Sequence, residues 1–99
     1  MTRSNIIDLL RSRNREIKER FHAEITAIFG SYARDEQTEE SDLDVLYRIN
    51  DTDRFGLVEI DGLELYIKDL VDVPAVDLVN EKYVNPIIEL EIGNELVYV

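Results

Sequence analysis

The chain has 99 residues, 44% of them apolar and 33% charged, with no cysteine and a formal net charge of −11. That length suits one domain, 1–99, with a single core and no separate substrate domain, and the composition excludes disorder, disulfides and thiolate metal sites. No run reaches the length of a membrane span and the start lacks a signal-peptide stretch, so no membrane is expected and the cytoplasm is the default compartment; the acidity opposes a phosphate backbone and weighs against nucleic acid as the main substrate.

Residues 4 to 20 place Ile6, Leu10 and Ile17, and then Phe21, at helical spacing, with Ser4 or Asn5 as N-cap, which predicts an amphipathic helix lying on a sheet. Its charge runs against that of the rest: Arg3, Arg11, Arg13, Arg15, Lys18 and Arg20 face only Asp8, Glu16 and Glu19. A solvated helix face is favoured for this basic segment over a docking surface for a partner. His22, where the helix ends, is expected to be structural. Ala23 to Phe29 is a short apolar run suited to a strand, ended by Gly30, and Ser31 to about Glu36 begins a short helix with Ser31 as its cap.

A polar, acidic loop leads into a second strand, about Asp42 to Ile49. Leu43, Val45, Tyr47 and Ile49 alternate there with Asp42, Asp44, Leu46 and Arg48, so one face is core and the other opens as a carboxylate site. Arg48 is expected to neutralise an acid. After a turn, Ile60, Leu63, Ile67 and Leu70 mark a second long helix over 55–70, although Gly62 costs about 1 kcal/mol there relative to alanine. Pro74 breaks the pattern, and Ala75 to Val79 reads as a third strand with Asp77 as its one acid. Asn85-Pro86 starts a last helix to about Glu91, closed by Gly93, and Leu96 to Val99 is a possible fourth strand. Tyr32, Tyr47, Tyr66 and Tyr83 suit packing or an interface, and Tyr98 a partner-facing place. The predicted class is α+β with α/β-type alternation: a mixed sheet of three to four strands with helices mainly on one face.

The chemistry concentrates between residues 30 and 77. A Gly-Ser turn at the end of a strand can present backbone amides to phosphate. Asp42 and Asp44, two apart on a strand, project from one face and can hold Mg²⁺ while ATP supplies the remaining oxygens. With a second metal, Asp77 on a neighbouring strand serves as general base or as that metal's ligand. Ser31 and nearby amides would hold the outer phosphates, and Arg34 would pair with one of them. Each element alone is common; the phosphate turn closing one strand and paired acids opening the next is not.

Gly30-Ser31, ten further residues and then Asp42-Leu43-Asp44, with Arg34 inside the interval, resembles the signature of the DNA polymerase beta-type nucleotidyltransferase superfamily. The short chain and its element order resemble the minimal nucleotidyltransferase (MNT) branch, over nearly the whole sequence. The resemblance implies the nucleotidyltransferase fold, with Asp42, Asp44 and Asp77 as catalytic and metal-binding acids, and Gly30, Ser31 and Arg34 on the nucleotide; Asp72 competes with Asp77 as third carboxylate. It further implies an enzyme that uses ATP and one or two Mg²⁺ to place one or several AMP units on a tyrosine of a partner, a HEPN-type ribonuclease toxin, releasing pyrophosphate as an antitoxin. One departure stands out: the position after Arg34, often glycine in the family, is Asp35. The alternatives are an antitoxin that only occludes its partner, and a subunit of a small-molecule nucleotidyltransferase.

Overall fold

The computed structural model describes residues 1–84, 90 and 95–99, so, Leu90 apart, the expected helix from Asn85 to Glu91 and its closing Gly93 lie outside the described residues. In chain order the elements are α1 (Arg3–Phe21), β1 (Ala23–Phe29), α2 (Gly30–Ala33), β2 (Leu43–Ile49), α3 (Leu57–Val71), β3 (Val76–Asn80), a 3₁₀ turn (Glu81–Tyr83) and β4 (Val97–Tyr98). The sheet is mixed and ordered β3-β2-β1-β4, with β2 and β3 parallel and the other pairs antiparallel.

Helix α1 buries the four residues of its apolar stripe, Ile6, Leu10, Ile17 and Phe21. Its cap is Thr2, not Ser4 or Asn5: the Thr2 hydroxyl accepts the Asn5 N–H at 3.2 Å, and the chain turns helical at Arg3. Asn14 occupies a stripe position between Leu10 and Ile17. Among the described residues Ile25 on β1 has no strand partner on its β4 side, and Asn14 takes that place: its side chain donates to the Ile25 carbonyl and accepts the Ile25 N–H, both at 2.8 Å.

Helix α3 begins at Leu57, where Glu59 accepts the Gly56 N–H at 3.1 Å, and buries Leu63, Ile67 and Val71. Gly62 has a packing reason that outweighs its helix propensity: a Cβ there would stand 2.8 Å from Cε1 of Phe21, so glycine lets α3 close on α1. Both long helices cover the sheet face that carries Ile25, Ile28, Leu43, Val45 and Tyr47, and these side chains form one core.

The other face is set by register. Strand β1 contains a bulge: Ile25 pairs with Tyr47 but Ala27 pairs with Leu46, leaving Thr26 as the extra residue, its hydroxyl donating to the Leu46 carbonyl at 3.3 Å. The bulge returns Ile28 to the helical face and turns Ala27 and Phe29 to the opposite one. Two rows result across that opposite face. Asp77, Asp44 and Phe29 form the first, and Val79, Leu46, Ala27 and Tyr98 the second.

Candidate active site

Asp44 stands at the centre of the first row, on β2, with Asp77 as its register partner on parallel β3. Asp42, exposed, lies one pleat beyond, just before β2 begins at Leu43. On the other flank β1 ends and the backbone swings into α2 through Gly30, whose φ is +73°. A Cβ on Gly30 would lie 2.1 Å from Oδ2 of Asp44 and 3.1 Å from its Cγ. Residue 30 therefore has to be glycine for two reasons: the left-handed backbone and the carboxylate pressed against it. The Gly30 turn and the acid of the next strand form one unit.

The acids repel each other. Burial, then the charges of Asp77 and Asp42, push the Asp44 carboxyl up to about 6, while Arg34 pulls the other way. Among the described residues no group of three acids and histidines closes around a single point. The arrangement suits Mg²⁺, which takes one or two carboxylates and completes its shell with water and phosphate oxygens. A cation beside Asp44 would also offset the repulsion that helps raise its pKa. Asp72 is placed elsewhere: it is exposed, ends α3 in the left-handed region with φ 57°, and is not among the charges felt at Asp44.

Helix α2 is a single turn, Gly30 to Ala33, shorter than the helix expected to reach Glu36. Ser31 is not its cap; Phe29 holds that position without a side-chain hydrogen bond. Its first N–H groups lack intrahelical partners, as at any helix start. Arg34 follows as the C-cap, with its guanidinium bonded to Glu36 and Glu95, each at 3.0 Å; the Glu36 hydrogen bond, with help from Glu95, raises its pKa. The glycine departure also has a structural answer. Asp35 adopts φ 57°, the conformation glycine takes freely, and its carboxylate accepts the first N–H of α1, from Arg3, at 3.2 Å, and lies 4.0 Å from the Arg3 guanidinium. Arg3 also donates to the Ala33 carbonyl at 3.0 Å, so α1 anchors the Gly30 turn from behind.

Other singled-out residues are structural. Arg48 does neutralise an acid, but the acid is Glu24 on β1, which also takes Asn50 at 3.3 Å and Lys18 at 3.6 Å. Burial alone would raise the Glu24 pKa; these partners outweigh it and hold the carboxyl below its usual range. His22 caps α1 at the opposite end of β1 from Gly30. Most of the basic α1 residues are paired on the surface: Arg13 and Arg20 with Glu16, and Arg15 with Glu19. Tyr47 is core, Tyr66 packs edge-on against Phe21 and bonds Glu16, whereas Tyr83 and Tyr98 are exposed. The partnerships of Glu24, Glu95 and Asn14 escaped the sequence reading; only Asn14, a polar residue within an apolar stripe, left a signal there.

No helix among the described residues is long and apolar enough to cross a membrane. The family profile of the nucleotidyltransferase domain matches residues 8–98. Over 99 residues the chain is 39% identical to a Methanocaldococcus jannaschii protein provisionally named protein adenylyltransferase MJ0126, covering 99% of this chain and 98% of that one. It is 32% identical to the protein adenylyltransferase MntA of Thermococcus cleftensis, covering 100% and 97%. Among solved structures, one provisionally described as a minimal nucleotidyltransferase superposes with a TM-score of 0.70 at 28% identity, over 100% of this chain and 97% of that one. A toxin–antitoxin crystal structure with AMP-PNP shares the fold, with a TM-score of 0.65 at 21% identity over 99% of this chain and 72% of that one. The mixed four-stranded sheet, the glycine turn against a strand aspartate and this profile agree: the chain belongs to the nucleotidyltransferase domain family.

Proposed function

We propose that this chain is an antitoxin that transfers AMP from ATP to a tyrosine hydroxyl of a HEPN-type ribonuclease toxin in the cytoplasm, with release of pyrophosphate. The observation that carries the reading is the Asp44 carboxylate, paired across strands with Asp77 and flanked by a glycine that leaves room for nothing larger. The relatives named protein adenylyltransferase support the same reaction class, and the toxin–antitoxin structure of like fold supports the class of partner.

Asp42 and Asp44 would hold Mg²⁺, with Asp77 as a further ligand or as the base. Bound there, the ion supplies positive charge beside the reacting phosphate, worth several kcal/mol in the transition state. Ser31 and the free amides of α2 orient the outer phosphates, and Arg34 exchanges Glu36 or Glu95 for one of them. The acceptor oxygen then attacks the α-phosphorus, the bond to the β-phosphate breaks and pyrophosphate leaves, and the hydroxyl proton passes to Asp77 where it serves as the base. Nothing in this scheme needs a second domain.

The test is the intact mass of the toxin after incubation with this chain, ATP and Mg²⁺. A gain of one or more AMP units is expected, slowed at least about a hundredfold by Asp42→Asn or Asp44→Asn. Asp77→Asn should retain ATP binding and lose transfer; unchanged turnover would remove Asp77 from the mechanism. Full neutralisation of the toxin without nucleotide, and no mass change with it, would replace the enzyme by an occluding antitoxin.

A further inference from the structure

We infer that the outer surface of the helical layer, where α1 and α3 lie side by side, is a docking surface for a second copy of this chain. The two copies pair about a two-fold axis that runs along the helices and sets α1 of each against α3 of the other.

Shape comes first. Phe21 lies against Gly62, and Glu16 accepts the Tyr66 hydroxyl, so a step back along α1 matches a step forward along α3 and the helices are antiparallel. Continued at the same rise per residue, the match brings Arg13 level with Asp69. Between the helices a cleft of about 580 Å³ opens, and every residue lining it belongs to α1 or α3. Phe21 and Tyr66 line it, with the Arg20 guanidinium 5.1 Å and 5.2 Å from the two ring centres. Leu65, also in the lining, is 60% exposed, and Val58, two turns earlier on the same face of α3, is 81% exposed. Single exposed apolar side chains need no partner, but these two share one helix face beside a cleft with an aromatic lining.

Charge then selects the occupant and its orientation. Helix α1 carries six bases against three acids, and α3 four acids against one base. The layer is thus self-complementary in one arrangement only. A two-fold axis running across the helices would lay α1 on α1 and α3 on α3, with like charges opposed. An axis along the helices lays α1 on α3 twice and keeps each residue at its level, so Arg13 faces Asp69 of the other copy and the reverse. The two clefts then face each other with a Leu65 at each mouth. The carboxylate rows lie beyond the sheets, on the two outer sides of the pair, and the association covers neither.

The test is sedimentation equilibrium of the full chain at micromolar concentrations in low salt. A mass of twice 11.5 kDa is expected, falling toward that of a single chain as added salt screens the rims. Leu65→Asp, at an exposed position, should weaken association at least about tenfold. Asp69→Arg and Arg13→Asp should each weaken it alone, because each sets like charges face to face at both contacts. An equimolar mixture of these two variants should associate again, since opposite charges then meet throughout, and that recovery also shows both variants to be folded. A wild type that stays a single chain would overturn the proposal, as would a dimer indifferent to all three substitutions. A dimer whose single variants fail to recover on mixing would overturn the axis and the proposal with it. If a monomeric wild type binds the toxin and Leu65→Asp does not, the cleft seats the toxin and the second copy is rejected as its occupant.

Discussion

The two faces of β2 differ as much as two different proteins. Toward the helices it presents Leu43, Val45 and Tyr47, none more than 5% exposed, sealed beneath α1 and α3. Toward the other side the same strand presents Asp44, with Asp42 just before it, against Asp77, and among the described residues no salt bridge reaches this row. One face is apolar burial, which drives folding; the other gathers like charges, which opposes it. The comparison teaches that stability and chemistry are separable here by residue parity, because side chains alternate along a strand.

Substitutions can break that separation or sharpen it. The largest effect is expected on the helical face: Leu63→Ala, at a fully buried site, should cost about 2–5 kcal/mol in urea unfolding while leaving AMP transfer per folded molecule unchanged. A matching loss of transfer at temperatures where the variant is folded would show that the faces are coupled. On the opposite face the sign should reverse. Because the Asp44 carboxyl titrates at about 6 in the folded chain and at 3.8 when unfolded, the folded state holds the extra proton between those values. Its contribution is therefore fully present below pH 4 and is lost as pH rises through 6, a drop of about 2 kcal/mol after allowing for partial solvent screening. The Tm of metal-free wild type should fall over this window relative to Asp44→Asn, and added Mg²⁺ should restore it at pH 7 to wild type only. An identical pH dependence in the two proteins would mean that the acid row is solvated and carries no strain. The smallest effect is expected at Asp35→Gly, within about 1 kcal/mol, since relief of a left-handed residue offsets the lost bonds to Arg3. A larger loss would show that α1 holds the Gly30 turn through Arg3 more than through packing.

Much of this was legible in the residues. The apolar stripe of α1 and the alternation on β2 are local patterns with a fixed period, and both appear where the spacing puts them. The Gly-Ser to Asp-Leu-Asp interval implied that Gly30 and Asp44 are neighbours because its parts lie on consecutive elements, and they are. Asp77 was harder: only strand pairing sets it opposite Asp44, and nothing local separates it from Asp72. The caps of α1 and α2 were misread because Thr2 and Phe29 depend on where the backbone leaves the helix, not on which polar residues stand nearby. Gly62 reads in sequence as a weak helix position and in three dimensions as the place where two helices touch, a fact stored in Phe21, forty-one residues away. The bases of Arg34 and Arg48 pairing are likewise long-range, through Glu95 and Glu24.

The extra residue at Thr26 turns β1 into a counting device. Upstream of it the strand reads inward and outward in one phase, and downstream in the other, so Gly30 arrives beside Asp44 only when the number of residues is kept. Changing the identity of Thr26 alters a hydroxyl contact; removing the residue would invert Ile28 and Phe29 together and send the glycine past its aspartate. Natural variation in this segment should consequently be free in spelling and fixed in length, and a one-residue deletion there should silence the enzyme more thoroughly than any single replacement.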